Sequence, residues 1–166
     1  MGELSAGGDR LRLSRRVVFA LSVAAWLGLF VLIPSTVGRR GGKLGWRGER
    51  PSLVNRSGVV PLGLGAAGLG WCLSSHYAPG ERVPVSLVPE TLIANGPYRL
   101  SRNPMYVCEQ MVLLGWTVYY GSPALLAGMA GLGAGMRYAV RREERTLEDR
   151  FGDSWRQYAS EVRRWI

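Results

Sequence analysis

Apolar positions along the chain gather into four runs separated by basic and turn-rich segments, and polar residues rarely interrupt them. The first run, Val17 to Val37, and the second, Gly58 to Tyr77, are long enough to cross a bilayer as helices, which takes about 20 residues. Met105 to Tyr120 and Pro123 to Tyr138 are shorter, and the joint between them, Gly121-Ser122-Pro123, admits only an antiparallel helical hairpin. The pattern therefore predicts an all-α integral membrane protein. It places spans at about 17–37, 58–77, 105–120 and 123–138 in a single domain over residues 1–166.

After the fourth run the pattern changes. Leu147, Phe151, Trp155, Tyr158 and Val162 recur every three or four residues among charged neighbours, which predicts a C-terminal amphipathic helix on the membrane surface or on the protein's own cytosolic face. The short hairpin returns Glu143 and Glu144, at the start of that helix, to the side where the third span begins, near Asn103 and Tyr106. Small residues spaced by four, namely Gly63 with Ala67, Ala66 with Gly70 and Gly131 with Gly135, predict close helix approach. Gly63-x-Gly65-x-x-Gly68 matches a dinucleotide fingerprint in letters only. Its glycines lie inside a continuous apolar run with no strand before them.

Composition then fixes the surroundings. Hydrophobic residues make up 47% and charged ones 20%, with a net charge of +9. A nucleic-acid partner is not expected, because the basic residues flank the apolar runs, where the positive-inside rule and anionic lipid account for them. Lys and Arg number four before the first span, six in the first loop, three in the second and eight from Arg137 onward. An N-in, C-in topology thus puts fifteen of them in the cytosol, as a multi-pass protein of the cell membrane would have them. Arg39, Arg40, Lys43, Arg47, Arg50 and Arg56 in the first loop run against the rule, which leaves a re-entrant or interfacial loop as the reading for them. Ser14-Arg15-Arg16 before an apolar run resembles a signal segment. The run is longer than a signal core and no small-x-small pattern closes it, so a retained span is expected, with Ser35-Thr36-Val37-Gly38 carrying the alternative.

Polar residues able to do chemistry concentrate between Asn95 and Tyr106. Asn95-Gly96-Pro97 is a turn signal, and Asn103-Pro104 reads as the N-cap and first residue of a helix, whose free N–H groups, with Arg99 and Arg102 beside them, favour an anionic group. Glu109, one turn further on, either faces a polar cavity or sits at interfacial depth paired with an arginine. Cys72, Cys108 and His76 have no metal-ligand spacing around them. Neither a metal site nor a Cys-His nucleophile is expected.

Two separated motifs, G-P-Y-R-L-S-R-N-P-M-Y and R-R-E-E-R-T-L-E-D-R-F-G-D-S-W-R-Q-Y, flank the predicted hairpin. Together they closely resemble the isoprenylcysteine carboxyl methyltransferase family, related to the membrane phospholipid methyltransferases, over roughly Pro89 to Ile166. The resemblance implies a membrane-embedded, S-adenosylmethionine-dependent methyltransferase whose cofactor half is 89–166. By position it implies cofactor contacts from Glu90, Thr91, Leu92 and Ile93, from Tyr98, from Asn103, Pro104, Met105 and Tyr106, and from Glu143, with Glu144 beside it; Arg102 would hold the cofactor's carboxylate. No catalytic nucleophile is implied, since methyl transfer is an in-line displacement governed by positioning and exclusion of water.

The chain departs from the family in two places. Asn103 stands where the family usually has His, which keeps hydrogen bonding but removes acid-base chemistry. Ala139 stands where the prenylcysteine enzymes carry a substrate-binding arginine. The expected acceptor is therefore a small lipophilic molecule or a lipid headgroup that reaches the site past Glu109. A nicotinamide-dependent membrane reductase of the sterol-reductase type and a non-enzymatic membrane scaffold are the alternatives, and oligomeric state is not legible.

Overall fold

The computed structural model describes Val17, residues 20–75 and residues 92–166. These are predominantly helical. The order is α1 (Ala20–Arg40), a two-stranded antiparallel hairpin of β1 (Trp46–Arg47) and β2 (Arg50–Pro51), α2 (Leu53–Arg56), α3 (Val59–Ser74), a 3-10 turn at Gly96–Arg99, α4 (Pro104–Tyr120), α5 (Pro123–Phe151) and α6 (Asp153–Glu161).

Among the described residues, two stretches are long and apolar enough to cross a membrane: α1 at 21 residues and Leu53–Ser74 at 22. Only 11% and 22% of their apolar windows are buried within the protein, so their leucines and valines face outward, as they would toward lipid and would not in a soluble core. The expected third and fourth spans fall in α4, of 17 residues, and in the apolar first half of α5, of 29. The C-terminal amphipathic helix is not a separate element as expected. α5 runs unbroken from the apolar run into the charged one and stops at Gly152, whose φ of +53° no L side chain adopts easily; α6 then carries the buried Trp155 and Tyr158, while Val162 is already extended.

α1 contains a wider π turn at Gly28–Leu32, and its cause lies just downstream. Pro34 has no N–H, so the Phe30 carbonyl lacks its α-helical donor; the Trp116 indole of α4 donates to it instead, at 2.9 Å. Phe30 joins Leu69, Val112, Leu113 and Met136 in a core to which α1, α3, α4 and α5 all contribute.

α3 and α4 approach so closely that Gly58, Gly65 and Gly68 meet Gly115, Cys108 and Val112 directly: a Cβ on Gly65 would lie 2.6 Å from the Cys108 carbonyl oxygen. Small residues do set this packing, but on a different face from the one expected. Gly63, Gly70, Gly131 and Gly135 have nothing within 4 Å of their Cβ positions, because the seam follows the seven-residue repeat Gly58, Gly65, Cys72.

The basic first loop is ordered against the end of α4. Its hairpin packs on the end of α4, where Trp46 donates to the Tyr119 carbonyl at 3.0 Å and stacks on Tyr120, Lys43 lies over Trp46, and buried Asn55 donates to the carbonyls of Leu44 and Val118. Gly121 closes α4 with φ +60° against the Leu44 carbonyl, and Ser122 caps α5. Arg39, Arg40, Arg47, Arg50 and Arg56 are exposed around this aromatic cluster.

Gly65→Ala should lower the unfolding free energy in detergent by about 1–3 kcal/mol through overpacking. Gly63→Ala, two residues away, should leave it unchanged or raise it. Equal effects in thermal unfolding would show that the α3–α4 seam lies elsewhere.

Candidate functional site

The segment before α4 is held by the C-terminal tail. Arg102 N–H donates to the Arg163 carbonyl at 2.9 Å, and the Arg164 carbonyl accepts from both Ser101 Oγ and Asn103 Nδ2 at 3.1 Å. Ser101 is fully buried, and its hydroxyl also accepts from the Asn103 N–H. α4 begins at Pro104 as expected. Asn103 stands at the N-cap position as expected but makes no side-chain capping bond, and its amide donates to the tail instead. One turn earlier the Tyr158 hydroxyl of α6 donates to the Tyr98 carbonyl at 2.8 Å, so loop, tail and α6 form one block. Burial pushes the Tyr158 phenol up to about 12 against a lowering by Arg102, and burial also raises Tyr98.

Glu144 ties this block to α5. Its buried carboxylate receives Arg164 through Nε at 3.1 and 3.0 Å and through Nη2 at 2.6 Å, and pairs with Arg102 Nη1 at 3.3 Å. Arg102 also lies over the Trp155 ring at 5.9 Å. The guanidinium expected to hold a cofactor carboxylate is thus engaged with a protein carboxylate.

Glu143, one position earlier, turns about 100° around the helix and away from this clamp. It meets α4 instead: Tyr106 Oη donates to Glu143 Oε2 at 3.3 Å. Desolvation of its carboxyl raises Glu143 above its ordinary range, the Tyr106 hydrogen bond works against that, and the Glu144 charge adds to it, while the residue as a whole is exposed. Glu143 is accordingly a carboxylate with one neutral partner, and Glu144 one with two cationic partners.

Of the other residues singled out in the sequence, Pro104 is buried at the helix start, Met105 packs against the core, and Leu92 and Ile93 are half-buried without regular structure. Glu90 and Thr91, like His76, lie outside the described residues. Glu109 is buried, and its partner is not the expected arginine: the Trp26 indole of α1 donates to Oε1 at 3.0 Å. Below the Tyr106–Glu143 pair, on the same α4–α5 seam, lies a mostly apolar cavity of about 430 Å³ lined by Gln110, Met129, Gly133, Met136, Arg137 and Trp165. Among the described residues no group of His, Cys, Asp and Glu is placed to hold a metal.

Sequence reading missed Ser101, Arg164, Tyr158 as a hydrogen-bond donor, and Trp26. An indole within an otherwise apolar span was the available signal for Trp26, since a Trp N–H placed in hydrocarbon needs an acceptor. Arg164 left no pattern to read.

A family model described as phospholipid methyltransferase matches residues 66–154, more than half of the chain. An uncharacterized protein of Haemophilus influenzae is 38% identical over 63 residues, 37% of this chain and 100% of that one. The cobalt-zinc-cadmium resistance protein CzcN of Cupriavidus metallidurans is 34% identical over 108 residues, 64% of this chain and 46% of that protein, so the chain spans about half of this second relative. No solved structure matches.

Glu144→Gln should destabilise the protein by roughly 3 kcal/mol, because it leaves a buried guanidinium without its counter-charge. Glu143→Gln should change stability by less than about 1 kcal/mol. Thermal unfolding of both variants in detergent distinguishes the two roles; equal loss would show that the adjacent carboxylates share one.

Proposed function

The chain belongs to the phospholipid methyltransferase family, and from that membership we propose that it is a multi-pass protein of the cell membrane that transfers a methyl group from S-adenosylmethionine to a small lipophilic or lipid acceptor, with its cofactor site facing the cytosol. Family membership itself carries methyltransferase activity in general. The observation that supports the finer reading is the Tyr106–Glu143 hydrogen bond, which joins the two halves of the α4–α5 hairpin at its polar end, above an apolar cavity.

The residues present fit the cofactor. Glu143 offers a carboxylate to an α-ammonium or to ribose hydroxyls, and Tyr106 orients it. The first turn of α4, uncapped by any side chain, offers N–H groups to a carboxylate, a role for which Arg102 is less available than its sequence position suggests. Tyr98, with Leu92 and Ile93, would wall the pocket, and Glu90 and Thr91 would complete it. When bound, S-adenosylmethionine supplies an electrophilic methyl group on a sulfonium centre. The chain's part is to hold that centre in line with the acceptor and to keep water out.

For the acceptor, the cleft lined by Gln110, Met129, Gly133 and Met136 provides an apolar approach from the bilayer, with Arg137 in its lining. Glu109 serves this cleft from behind, as a carboxylate anchored on Trp26 that fixes the rotation of α4 against α1. In place of the arginine that holds an acceptor carboxylate stands Ala139, on an exposed face of α5.

Purified protein in detergent should bind S-adenosylmethionine and not NADPH by calorimetry, and Glu143→Gln should weaken that binding by at least about tenfold, the scale of one charge-assisted hydrogen bond. Since the carboxyl is raised in the cofactor-free protein, and binding an ammonium requires its ionised form, affinity should fall as pH drops through a value above the ordinary 4.5. The Gln variant should lose that pH dependence. Binding of NADPH alone, or unchanged affinity in the variant, would overturn the reading. Farnesylcysteine analogues should be poor substrates; efficient, saturable methylation of one would show that another residue replaces the arginine absent at Ala139.

A further inference from the structure

A second cavity, of about 550 Å³, opens beside Glu144, between the charged half of α5 and α6. It shares no lining residue with the cleft along the α4–α5 seam, and Glu143, Tyr98 and Tyr106 take no part in it. Five arginines line it, Arg102, Arg141, Arg145, Arg156 and Arg164, against two carboxylates, Glu144 and Glu148.

The carboxylates are already engaged. Glu144 is held by Arg102 and Arg164, and Glu148 by Arg156 at 3.5 Å, while Arg156 also pairs with Asp153 at 2.7 Å. Among the described residues no carboxylate pairs with Arg141 or Arg145. These two stand four apart on α5, an arrangement of like charges that weakens a helix unless an anion lies between them. Deeper in the same wall, the buried Nε–H of Arg102 has no acceptor among the described residues, and a buried donor on a charged group is costly to leave unmade. Trp155 gives the cavity an apolar side, and Ala159 and Ser160 contribute small side chains to its lining.

We propose that this cavity binds a phosphate group, with Arg141 and Arg145 as a pair of guanidinium forks and Arg102 behind them. Guanidinium forks match phosphate oxygens in geometry as well as charge, and a tetrahedral oxyanion can accept from three directions at once. The cavity's volume accommodates a phosphate with a substituent, either the headgroup of an acidic phospholipid or a free phosphate compound. This site stands apart from the methyl-transfer reading, and each can fail without the other.

Two arms separate the sources. In detergent without lipid, calorimetry with pyrophosphate measures the soluble anion; in nanodiscs of phosphatidylcholine alone or with added phosphatidylglycerol, a difference in hydrogen exchange across residues 141–160 measures the lipid headgroup. The full-length Arg141→Gln/Arg145→Gln variant should lose at least about tenfold in pyrophosphate affinity or lose the phosphatidylglycerol-dependent protection, whichever the unmodified protein shows. The charge-matched Arg142→Gln/Arg150→Gln variant, altered outside the cavity, should change less than about twofold. Response in the first arm identifies a soluble phosphate, and response only in the second a lipid. Equal loss in the two variants, or no response of the unmodified protein in either arm, would overturn the proposal.

Discussion

The buried ion cluster of Glu144 with Arg102 and Arg164 is the contact on which the polar end of this molecule depends. Glu144 sits on the long helix α5, Arg102 in the segment leading into α4, and Arg164 in the tail. A carboxylate taken out of water is tolerated only if its charge and lone pairs are satisfied, and here two guanidiniums satisfy them from two separate chain segments. The same need fixes the backbone: with Arg164 drawn in, its carbonyl meets Ser101 and Asn103, and the neighbouring Arg163 carbonyl meets the Arg102 N–H.

From this constraint follows a division of labour between adjacent residues. A helix turns about 100° per position, so a clamp that uses Glu144 aims Glu143 toward α4 and Tyr106. One carboxylate orders the protein, and the other is left with a neutral partner in a setting that raises its proton affinity. The arginine-lined cavity and the proposed methyl-transfer cleft share no lining residue and follow one another along α5. Below them the packing is of another kind: glycines bring α3 against α4, and the Trp26–Glu109 and Trp116–Phe30 hydrogen bonds tie α1 to α4 where water is scarce.

Much of the architecture could be read from apolar run lengths and turn chemistry, since the hairpin joint at Gly121-Ser122 and the start of α4 at Pro104 follow from local rules. The pairing of Glu143 with Tyr106 was legible too, because a short hairpin must return the chain to its starting side. The rest depended on contacts distant in sequence. Asn103 has the chemistry of a cap, and only the arrival of Arg164, 61 residues later, diverts its amide. Glu109 suggested an arginine partner, whereas an indole 83 residues earlier reaches it first. The small-residue seam was right in kind and displaced in face, because spacing by four fits more than one stripe of a glycine-rich helix and only the partner helix selects among them. The end of α5 shows the same limit: the amphipathic period runs smoothly through Gly152, and the break is a matter of backbone conformation that periodicity does not record.

Glu144 holds the pre-helix loop and the tail together, which leaves Glu143 to turn toward Tyr106 and the site. Amide hydrogen exchange on the full chain in detergent tests it directly, comparing the unmodified protein with Glu144→Gln and Glu143→Gln. Residues 98–104 and 158–166 should exchange at least about tenfold faster in the Glu144 variant and at the unmodified rate in the Glu143 variant. Unaltered protection of both segments in the Glu144 variant would contradict it.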